Sequence, residues 1–244
     1  MIVIPMAGQS RRFAEAGYAV PKYMLSAHGR TLFAHAVCSF AESFQSLPFL
    51  FICRDIANTP AFIDAQCKEL GISSWRSLTL AAPTAGQAET VMLGLERGNC
   101  PGDEPVTIFN IDTFRPGFRF PAAAQADGYL EVFQGGGDNS SYVRPRAAGS
   151  DRVVETAEKV AISDLCCTGL YHFRSASLYQ SAYRDFILSE EVGRSVKELY
   201  VAPMYNVLIR QGADIRYHLI LREDVVFCGV PAEYEAFLAT PQPR

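Results

Sequence analysis

The sequence predicts an α/β fold, a three-layer αβα arrangement in which helices cover a mostly parallel, mixed sheet. Three short apolar runs, residues 1–5, 49–53 and 106–110, are rich in β-branched or aromatic residues, as strands buried on both faces are. Helix-like stretches lie between these runs. Strands that alternate with helices in this way indicate parallel pairing through right-handed crossovers.

The other elements follow from the spacing of apolar residues and from the residues that begin and end helices. In the first half, helices are predicted over residues 31–44, 60–70 and 90–97, the last of them ended by Gly98. In the second half, strands are predicted at residues 128–133, 142–144, 153–158, 170–173 and 218–221. Helices are predicted over residues 202–210 and 231–238, followed by a frayed tail over residues 240–244.

Composition limits the class of protein. The chain of 244 residues is 49% hydrophobic and 20% charged, and it has no repeat, linker or break in composition, which predicts a single globular domain. A net charge of −4 argues against a surface that binds nucleic acid. No apolar stretch reaches the ~18 residues that span a bilayer, and no secretory signal is visible. We therefore expect a cytoplasmic protein with neither a nucleic-acid nor a membrane partner.

Seven cysteines are scattered along the chain without the spacing of a metal site. Their odd number and the adjacent pair Cys166–Cys167 are typical of reduced thiols in a reducing compartment. The four histidines are not at metal-ligand spacing either, and we expect them to be core or surface side chains.

The unusual residues of the first half fall in three loops, after Pro5, Leu80 and Asn110. Ligands of a parallel sheet bind beyond the carboxyl ends of its strands, so these loops are expected to share one rim. In the first loop, small residues let backbone N–H groups surround an anion. Arg12, beside Arg11, and the more distant Lys22 offer charge-assisted bonds to phosphate oxygens. The backbone candidates are Ala7, Gly8, Gln9 and Ser10. A surface turn with solvated cations explains the same residues.

The other two loops offer a carboxylate and a small, flat surface. Asp112 follows an apolar strand directly, where a poorly solvated carboxylate has reason to hold Mg²⁺. A turn or N-cap aspartate is the alternative. Gly86 allows a flat ring to approach the backbone, and Gln87 both donates and accepts, as a reader of base edges must. A helix-capping segment, with Thr84 or Thr90 as the cap, is the alternative there.

One dipeptide stands out in the second half. Glu158 and Lys159 end a predicted strand, where the lysine could point into a cleft and bind a second phosphate. A solvated pair at the sheet edge is the alternative interpretation.

The order and spacing of these segments carry more information than any one of them. From residue 4 to residue 237 the chain contains, in order, IPMAGQSRRF, PK, TAGQAET, FNID, AEK, TGLYHF and GVPAEYEAF. The series resembles the nucleotidyltransferase family that makes nucleotide-activated sugars, including a branch encoded with capsule and lipopolysaccharide genes. The resemblance implies the Rossmann-like nucleotide-diphospho-sugar transferase fold. It also implies a nucleotide-binding half over residues 1–127 and an acceptor-binding half over residues 128–244 of one domain.

The resemblance also implies roles for the candidate residues. The loop from Ala7 to Ser10, with Gly8 and Gln9, would lie against the triphosphate of a nucleoside triphosphate. Arg12 would hold its phosphates and Lys22 would touch the α-phosphate. Gly86 and Gln87 would face the base, and Asp112 would bind Mg²⁺. Glu158 and Lys159 would bind a phosphorylated sugar or another small phosphorylated acceptor.

Two departures from the family pattern bear on these roles. Ser10, Arg11 and Arg12 stand where the family usually has a second glycine, then serine or threonine, then arginine, so that a side chain replaces hydrogen near the phosphates. Phe227 stands where many members have an aspartate that is the second metal ligand. Three explanations remain open for this position. Asp112 acts with phosphates and water, Glu223 or Asp224 substitutes, or turnover has been lost.

We expect the chain to transfer a nucleoside monophosphate from a nucleoside triphosphate to a sugar phosphate, with release of pyrophosphate. The attacking phosphate oxygen is already ionised, so alignment and charge neutralisation replace a general base. The first alternative is a GT-A-type glycosyltransferase that uses a nucleotide sugar, although Asp112 stands without the second aspartate of an Asp-x-Asp motif. The second alternative is a catalytically weakened regulatory protein that binds nucleotide sugars.

Overall fold

The computed structural model describes residues 1–137, 140–189 and 198–241. Its helices in these ranges are α1 (Arg11–Glu15), α2 (Leu32–Val37), α3 (Thr59–Leu70), α4 (Gln87–Arg97), α5 (Ala176–Ile187), α6 (Tyr205–Arg210) and α7 (Pro231–Ala239). None of these helices has the length and apolar character needed to cross a bilayer.

The strands of the first half are β1 (Ile2–Met6), β2 (Ser26–Ala27), β3 (Arg30–Thr31), β4 (Phe49–Cys53), β5 (Trp75–Thr79), β6 (Val106–Phe109) and β7 (Thr113–Phe114). Those of the second half are β8 (Gly128–Gln134), β9 (Ser141–Pro145), β10 (Val153–Glu158), β11 (Leu165–Phe173), β12 (Ile215–Ile220) and β13 (Val226–Phe227). The predicted α/β class is confirmed, and the three strands on which it depended are β1, β4 and β6.

The chain forms two compact units. The first unit comprises Met1–Val3, Thr84–Phe109 and Phe120–Arg222. Its strands follow the order β10-β9-β11-β6-β1, and β8 pairs with both β11 and β12. β6 pairs parallel with β1 and β12 pairs parallel with β8, whereas β11 is antiparallel to β6, β8 and β9. This part of the sheet is therefore mixed, as predicted.

The second unit comprises Ile4–Pro83, Asn110–Arg119 and Glu223–Arg244. Its strands β4 and β5 pair parallel, with Phe49 opposite Trp75 and Cys53 opposite Thr79. A separate antiparallel ribbon joins β13 to β7, with Val226 opposite Phe114 and Phe227 opposite Thr113. β7 begins directly after Asp112, the residue predicted to bind Mg²⁺.

Burial explains why the central strands form where they do. All five residues of β4 and all nine residues of β11 are buried. A strand buried on both faces is a continuous apolar run, and FLFIC fits that description without any alternation. β11 does not look like such a run in the sequence, because Thr168 and Gly169 interrupt it. For that reason only the part after them, residues 170–173, was predicted.

Several boundaries differ from prediction for local reasons. The helix predicted over residues 31–44 is α2 followed by a 3₁₀ helix at Cys38–Ser43, because Phe40 leaves helical geometry with φ −103° and ψ 25°. α4 begins at Gln87 rather than at residue 90. β12 begins at Ile215 rather than at residue 218. α5 was not predicted at all, although Ser175 caps it by accepting a hydrogen bond from the Leu178 N–H at 3.1 Å.

His172 illustrates the core histidine that the sequence predicts. Its side chain lies on β11 and is 5% exposed, its Nδ1 bonds to the Thr107 hydroxyl at 2.9 Å, and its ring stacks on Tyr129. Burial is the main reason that the pKa of His172 falls to about 4. The imidazole is consequently neutral in the folded protein near neutral pH.

Acidification is expected to destabilise the protein through His172. The unfolded chain takes up a proton near pH 6.5, whereas the folded chain resists it until about pH 4, so stability falls as pH drops through this window. A shift of this size corresponds to about 3 kcal/mol at full effect. Urea unfolding at pH 7 and pH 4.5 should therefore show a smaller acid-induced loss in His172→Gln than in the parent. Equal losses in both proteins would contradict the assignment.

Candidate active site

The first loop lies at the carboxyl end of β1, a strand in which every residue except Pro5 is buried. Ile4 is 0% exposed, and Ala7 just beyond β1 is still buried. The chain then turns at Ser10, which adopts left-handed geometry with φ 49° and precedes α1. A Cβ added to Gly8 would meet nothing within 4 Å. The space beside Gly8 is thus open in this unit, as a loop that receives a phosphate chain requires.

Lys22 and Asp112 form an ion pair in the second unit. The Lys22 ammonium donates a hydrogen bond to Oδ2 of Asp112, and each side chain is 21% exposed. The backbone N–H of Lys22 also lies 3.5 Å from the Ser10 hydroxyl oxygen. Residues of the first and third loops, which were predicted independently to bind phosphate and metal, therefore touch each other.

The other polar residues of the first loop are placed differently. Arg12 lies on α1 with its side chain exposed, and in the described ranges it forms no ion pair with a carboxylate. Gln9 is exposed and accepts a hydrogen bond from Nε of Arg11 at 2.8 Å. The structure thus joins Lys22 and Asp112 directly, while the Arg12 guanidinium, on α1, makes no ion pair with any described residue.

The ribbon of β7 and β13 brings a second carboxylate toward Asp112. The Cys228 N–H donates to the Asp112 carbonyl at 2.8 Å, so Cys228 and Gly229 lie against Asp112. A Cβ added to Gly229 would be 3.1 Å from Asp112 Oδ2 and 3.5 Å from Glu233 Oε2. Glu233 accepts hydrogen bonds from the N–H groups of Gly229 and Val230, at 2.8 and 3.2 Å. The carboxylate that the geometry brings close to Asp112 is therefore Glu233.

Glu233 was missed in the sequence because it has an ordinary explanation. It is the third residue of α7, which begins with Pro231, and an acidic residue at that place commonly bonds the free N–H groups of a helix start. The sequence therefore indicates the start of a helix here, because proline is followed two residues later by glutamate. It gave no indication that the capped segment packs against Asp112.

Cys228 is surrounded by the charges of this cluster. Burial is the main reason that the pKa of the Cys228 thiol rises to about 12. The negative charges of Glu233 and Asp112 also raise this pKa, whereas the positive charge of Lys22 lowers it. A thiol with such a pKa is not a nucleophile near neutral pH. Cys228 therefore contributes packing rather than chemistry.

The residues around Asp112 fit a magnesium ion that a substrate helps to hold. In the described part of the chain, no group of three or more His, Cys, Asp or Glu side chains could bind a metal by itself. Mg²⁺ in nucleotide enzymes is commonly held by one or two carboxylates, with phosphates and water as its other ligands. Asp112, with the Glu233 carboxylate nearby and Ser10 of the first loop beside its partner Lys22, is compatible with that donor set.

The second loop belongs to the first unit and contacts Leu199. Gly86 is the N-cap of α4 and has φ 153°, a conformation that favours glycine. Neither Thr84 nor Thr90 caps the helix, so that expectation was wrong. Instead, both hydroxyls donate to the Gly86 carbonyl, at 3.1 and 3.0 Å, and hold the turn that precedes the helix. Gln87 is the first residue of α4 and is half-buried.

Glu158 and Lys159 also belong to the first unit. Glu158 ends β10 and accepts a hydrogen bond from the Ser141 hydroxyl, and burial raises the pKa of its carboxyl. Lys159 has left-handed geometry with φ 59°. Its ammonium donates to the Tyr200 hydroxyl at 2.5 Å, and that hydroxyl donates to Glu198 at 2.5 Å. Tyr200 and Glu198 were not recognised in the sequence, because no motif surrounds them.

Neither a protein-family model nor a curated protein matches the chain. Three solved structures share its fold at low identity. An inositol-1-phosphate CTP transferase from T. maritima has a TM-score of 0.68 at 15% identity, covering 97% of this chain and 92% of that chain. A putative glucose-1-phosphate thymidylyltransferase from Bacillus anthracis has a TM-score of 0.71 at 14% identity, covering 100% and 95%. A UDP-glucose pyrophosphorylase complexed with UDP-glucose has a TM-score of 0.75 at 12% identity, covering 97% and 96%.

A much closer relative is the crystal structure of a nucleoside-diphosphate-sugar pyrophosphorylase from Vibrio cholerae RC9. It is 54% identical and has a TM-score of 0.95, and the match covers 98% of this chain and 100% of that chain. Identity at this level over full lengths shows common membership of a family, and the three distant structures agree with it in fold. The protein is thus an enzyme of the nucleotidyltransferase type, and it belongs to the nucleoside-diphosphate-sugar pyrophosphorylase family.

Proposed function

We propose that this enzyme transfers a nucleoside monophosphate from a nucleoside triphosphate to a sugar phosphate. The observation that carries the proposal is the contact between Lys22 and Asp112, which joins a cation from the first loop to a carboxylate after β6. Phosphoryl-transfer sites need both, because one neutralises phosphate charge and the other holds a metal ion. Each side chain of this ion pair is 21% exposed, so a ligand can reach the pair from solvent.

In the proposed reaction, a phosphate oxygen of the acceptor attacks the α-phosphorus of the triphosphate. The new oxygen–phosphorus bond forms as the bond to the bridging oxygen of the β-phosphate breaks, and pyrophosphate leaves with the electron pair. Lys22 turns from Asp112 to the α-phosphate and stabilises its developing charge. Backbone N–H groups from Ala7 to Ser10, together with Arg12, hold the triphosphate in line. Bound Mg²⁺ would neutralise phosphate charge beside Asp112.

We assign the nucleotide to residues 1–127 and the acceptor to residues 128–244. Gly86 and Gln87 face the base in this assignment, and the half-buried amide of Gln87 at the start of α4 supports it, since an amide both donates to and accepts from a polar ring edge. Lys159 binds the acceptor phosphate. The neighbouring Glu158 binds the sugar hydroxyls, for which a half-buried carboxylate is a strong acceptor.

The second metal ligand is the point on which the proposal differs from the common pattern. Phe227 cannot bind a metal, and the ribbon directs Cys228 and Gly229, rather than Glu223 or Asp224, against Asp112. We therefore favour a site in which Asp112 acts with phosphates and water.

We also infer a role in capsule or lipopolysaccharide synthesis, because the ordered series of sequence segments resembles that branch of the family. We infer a cytoplasmic location, because the proposed reaction needs nucleoside triphosphates.

The direct test is a screen of four nucleoside triphosphates against a panel of phosphorylated sugars and polyols, with pyrophosphate as the readout. Pyrophosphate release that needs both substrates and stops on chelation with EDTA supports the proposal. Release of a nucleoside diphosphate from nucleotide sugars would instead establish a glycosyltransferase. Tight binding of nucleotide sugars without any product would establish a regulatory protein.

A further inference from the structure

Leu199 contacts the Gly86 loop through its backbone on both sides of the glycine. The Leu199 N–H donates to the Ala85 carbonyl at 2.8 Å, and the Ala88 N–H donates to the Leu199 carbonyl at 2.9 Å. A Cβ on Gly86 would overlap backbone atoms of Leu199. Two backbones this close cannot move independently, so a displacement of the Gly86 loop must also displace Leu199.

The residues on either side of Leu199 hold the ammonium of Lys159. Tyr200 accepts its hydrogen bond at 2.5 Å and donates to Glu198, also at 2.5 Å. The ammonium also lies 4.5 Å from the centroid of the Tyr200 ring. Glu198 and Lys159 are exposed and Tyr200 is half-buried, so an anion from solvent can reach this group. The carboxylate, the phenol and the ammonium form one hydrogen-bonded chain.

The other end of the Lys159 side chain is fixed by the backbone. Its N–H donates to the Ser140 carbonyl at 2.9 Å, and its φ of 59° is uncommon for a residue with a side chain. Upstream in β10, Thr156 exchanges two backbone hydrogen bonds of 2.8 Å with the amide side chain of Asn206. Because the backbone is held, the position of the ammonium depends mainly on Tyr200 and Glu198.

We propose that residues 198–200 couple the Gly86 loop to the Lys159 ammonium, which makes Glu198 and Tyr200 positioning residues for the acceptor phosphate. A nucleotide base seated against Gly86 displaces Leu199, and its two neighbours carry the displacement to Lys159. This inference rests on the proposed function, since it takes the Gly86 loop as the nucleotide site and Lys159 as the acceptor-phosphate site. Coupling between two ligands is reciprocal, so a bound acceptor phosphate strengthens nucleotide binding by the same factor.

Substitution of Tyr200 tests the part of the inference that concerns the acceptor. Tyr200→Phe keeps the ring and removes the hydroxyl that links Lys159 to Glu198. We expect KM for the sugar phosphate to rise about tenfold, because one hydrogen bond to a charged group is lost, while the affinity for the nucleoside triphosphate in the absence of acceptor stays unchanged. Tyr217→Phe is the matched control, since it removes the hydroxyl of another half-buried tyrosine in the same unit. Equal KM values for the acceptor in Tyr200→Phe and in the parent would overturn this part.

Nuclear magnetic resonance of ¹³C-methylated lysines tests the coupling without any turnover. The chain has four lysines, so the Lys159 signal can be assigned by comparison with Lys159→Arg. Adding CTP, UTP, ATP or GTP, whichever binds, should shift the Lys159 signal in the parent and in Leu199→Ala, which retains both backbone bonds. The shift should disappear in Leu199→Pro, which lacks the N–H that bonds Ala85. An equal shift in Leu199→Pro would overturn the inference.

The Lys22 signal separates failure of the inference from failure of the proposed function. If nucleotide shifts Lys22 but leaves Lys159 unmoved in the parent, the coupling is wrong and the nucleotide site stands. If no triphosphate shifts either lysine, the proposed function itself is wrong and the coupling falls with it. Should Leu199→Pro fail to fold, Gly86→Ala takes its place, because its Cβ would separate the same two backbones.

Discussion

Replacement of Lys22 with alanine is expected to lower the rate of pyrophosphate release about 10²–10³-fold, the loss typical of one preorganised charge contact. The ammonium is the only group in the described structure that bonds the Asp112 carboxylate from the first loop. In the proposed reaction it moves to the α-phosphate as negative charge develops there. Alanine removes that charge and leaves Mg²⁺ and Arg12 to act alone. The effect should appear mainly in kcat, since the contact strengthens in the transition state.

The fold should survive this change, which distinguishes a chemical role from a structural one. A pair of side chains near the surface contributes little to stability, so thermal unfolding should be nearly unchanged. Lys68→Ala is the matched control, because Lys68 is an exposed lysine that pairs with Asp64 one turn away on α3. Normal pyrophosphate release by Lys22→Ala would remove Lys22 from the active site.

Substitution of Asp112 by asparagine is expected to lower turnover by a similar factor, with a different dependence on metal. Asparagine keeps the size and the hydrogen-bonding oxygen but loses the negative charge that attracts a divalent cation. The concentration of Mg²⁺ needed for half-maximal rate should therefore rise, whereas in Lys22→Ala it should not. Titrating the rate with Mg²⁺ and with Mn²⁺ in both variants measures this difference.

Two further variants sharpen the interpretation. Asp64→Asn changes an exposed aspartate in the same unit and should leave the metal requirement unchanged. The double variant Lys22→Ala, Asp112→Asn should lose less than the product of the two single losses, because residues in contact are not energetically independent. If both single variants kept near-normal rates, the assignment of the site would be wrong.

The sequence predicts the strands that are buried and mainly apolar. β1 and β4 contain no polar side chain, β6 contains the single polar residue Thr107, and each was expected within about one residue of its observed bounds. β11 is just as buried, but Thr168 and Gly169 break its apolar run, and the Thr168 hydroxyl finds its partner in Glu131 on the neighbouring strand. α5 was missed because the pattern around its Ser175 cap is short and its apolar face is made of tyrosine, alanine and phenylalanine.

Candidate residues can be named from the sequence where chemistry and position coincide, as for Asp112 after an apolar strand, and their roles stay predictions. Their partners are harder to name. The contact between Lys22 and Asp112 joins residues that are 90 positions apart, and the approach of Glu233 depends on how the β7–β13 ribbon closes. Glu198 and Tyr200 belong to a stretch without regular structure. Such contacts depend on tertiary packing, which single-sequence patterns do not encode.

The pairing of Lys22 with Asp112 has a consequence for the order in which ligands enter. A free divalent ion must compete with an ammonium for the same carboxylate oxygen, and it offers the displaced lysine nothing in return. A metal that arrives already complexed to a triphosphate brings a phosphate with it, so both charged side chains exchange one partner for another. For the proposed site, we therefore expect the resting enzyme to bind the metal–nucleotide complex in preference to the bare metal ion.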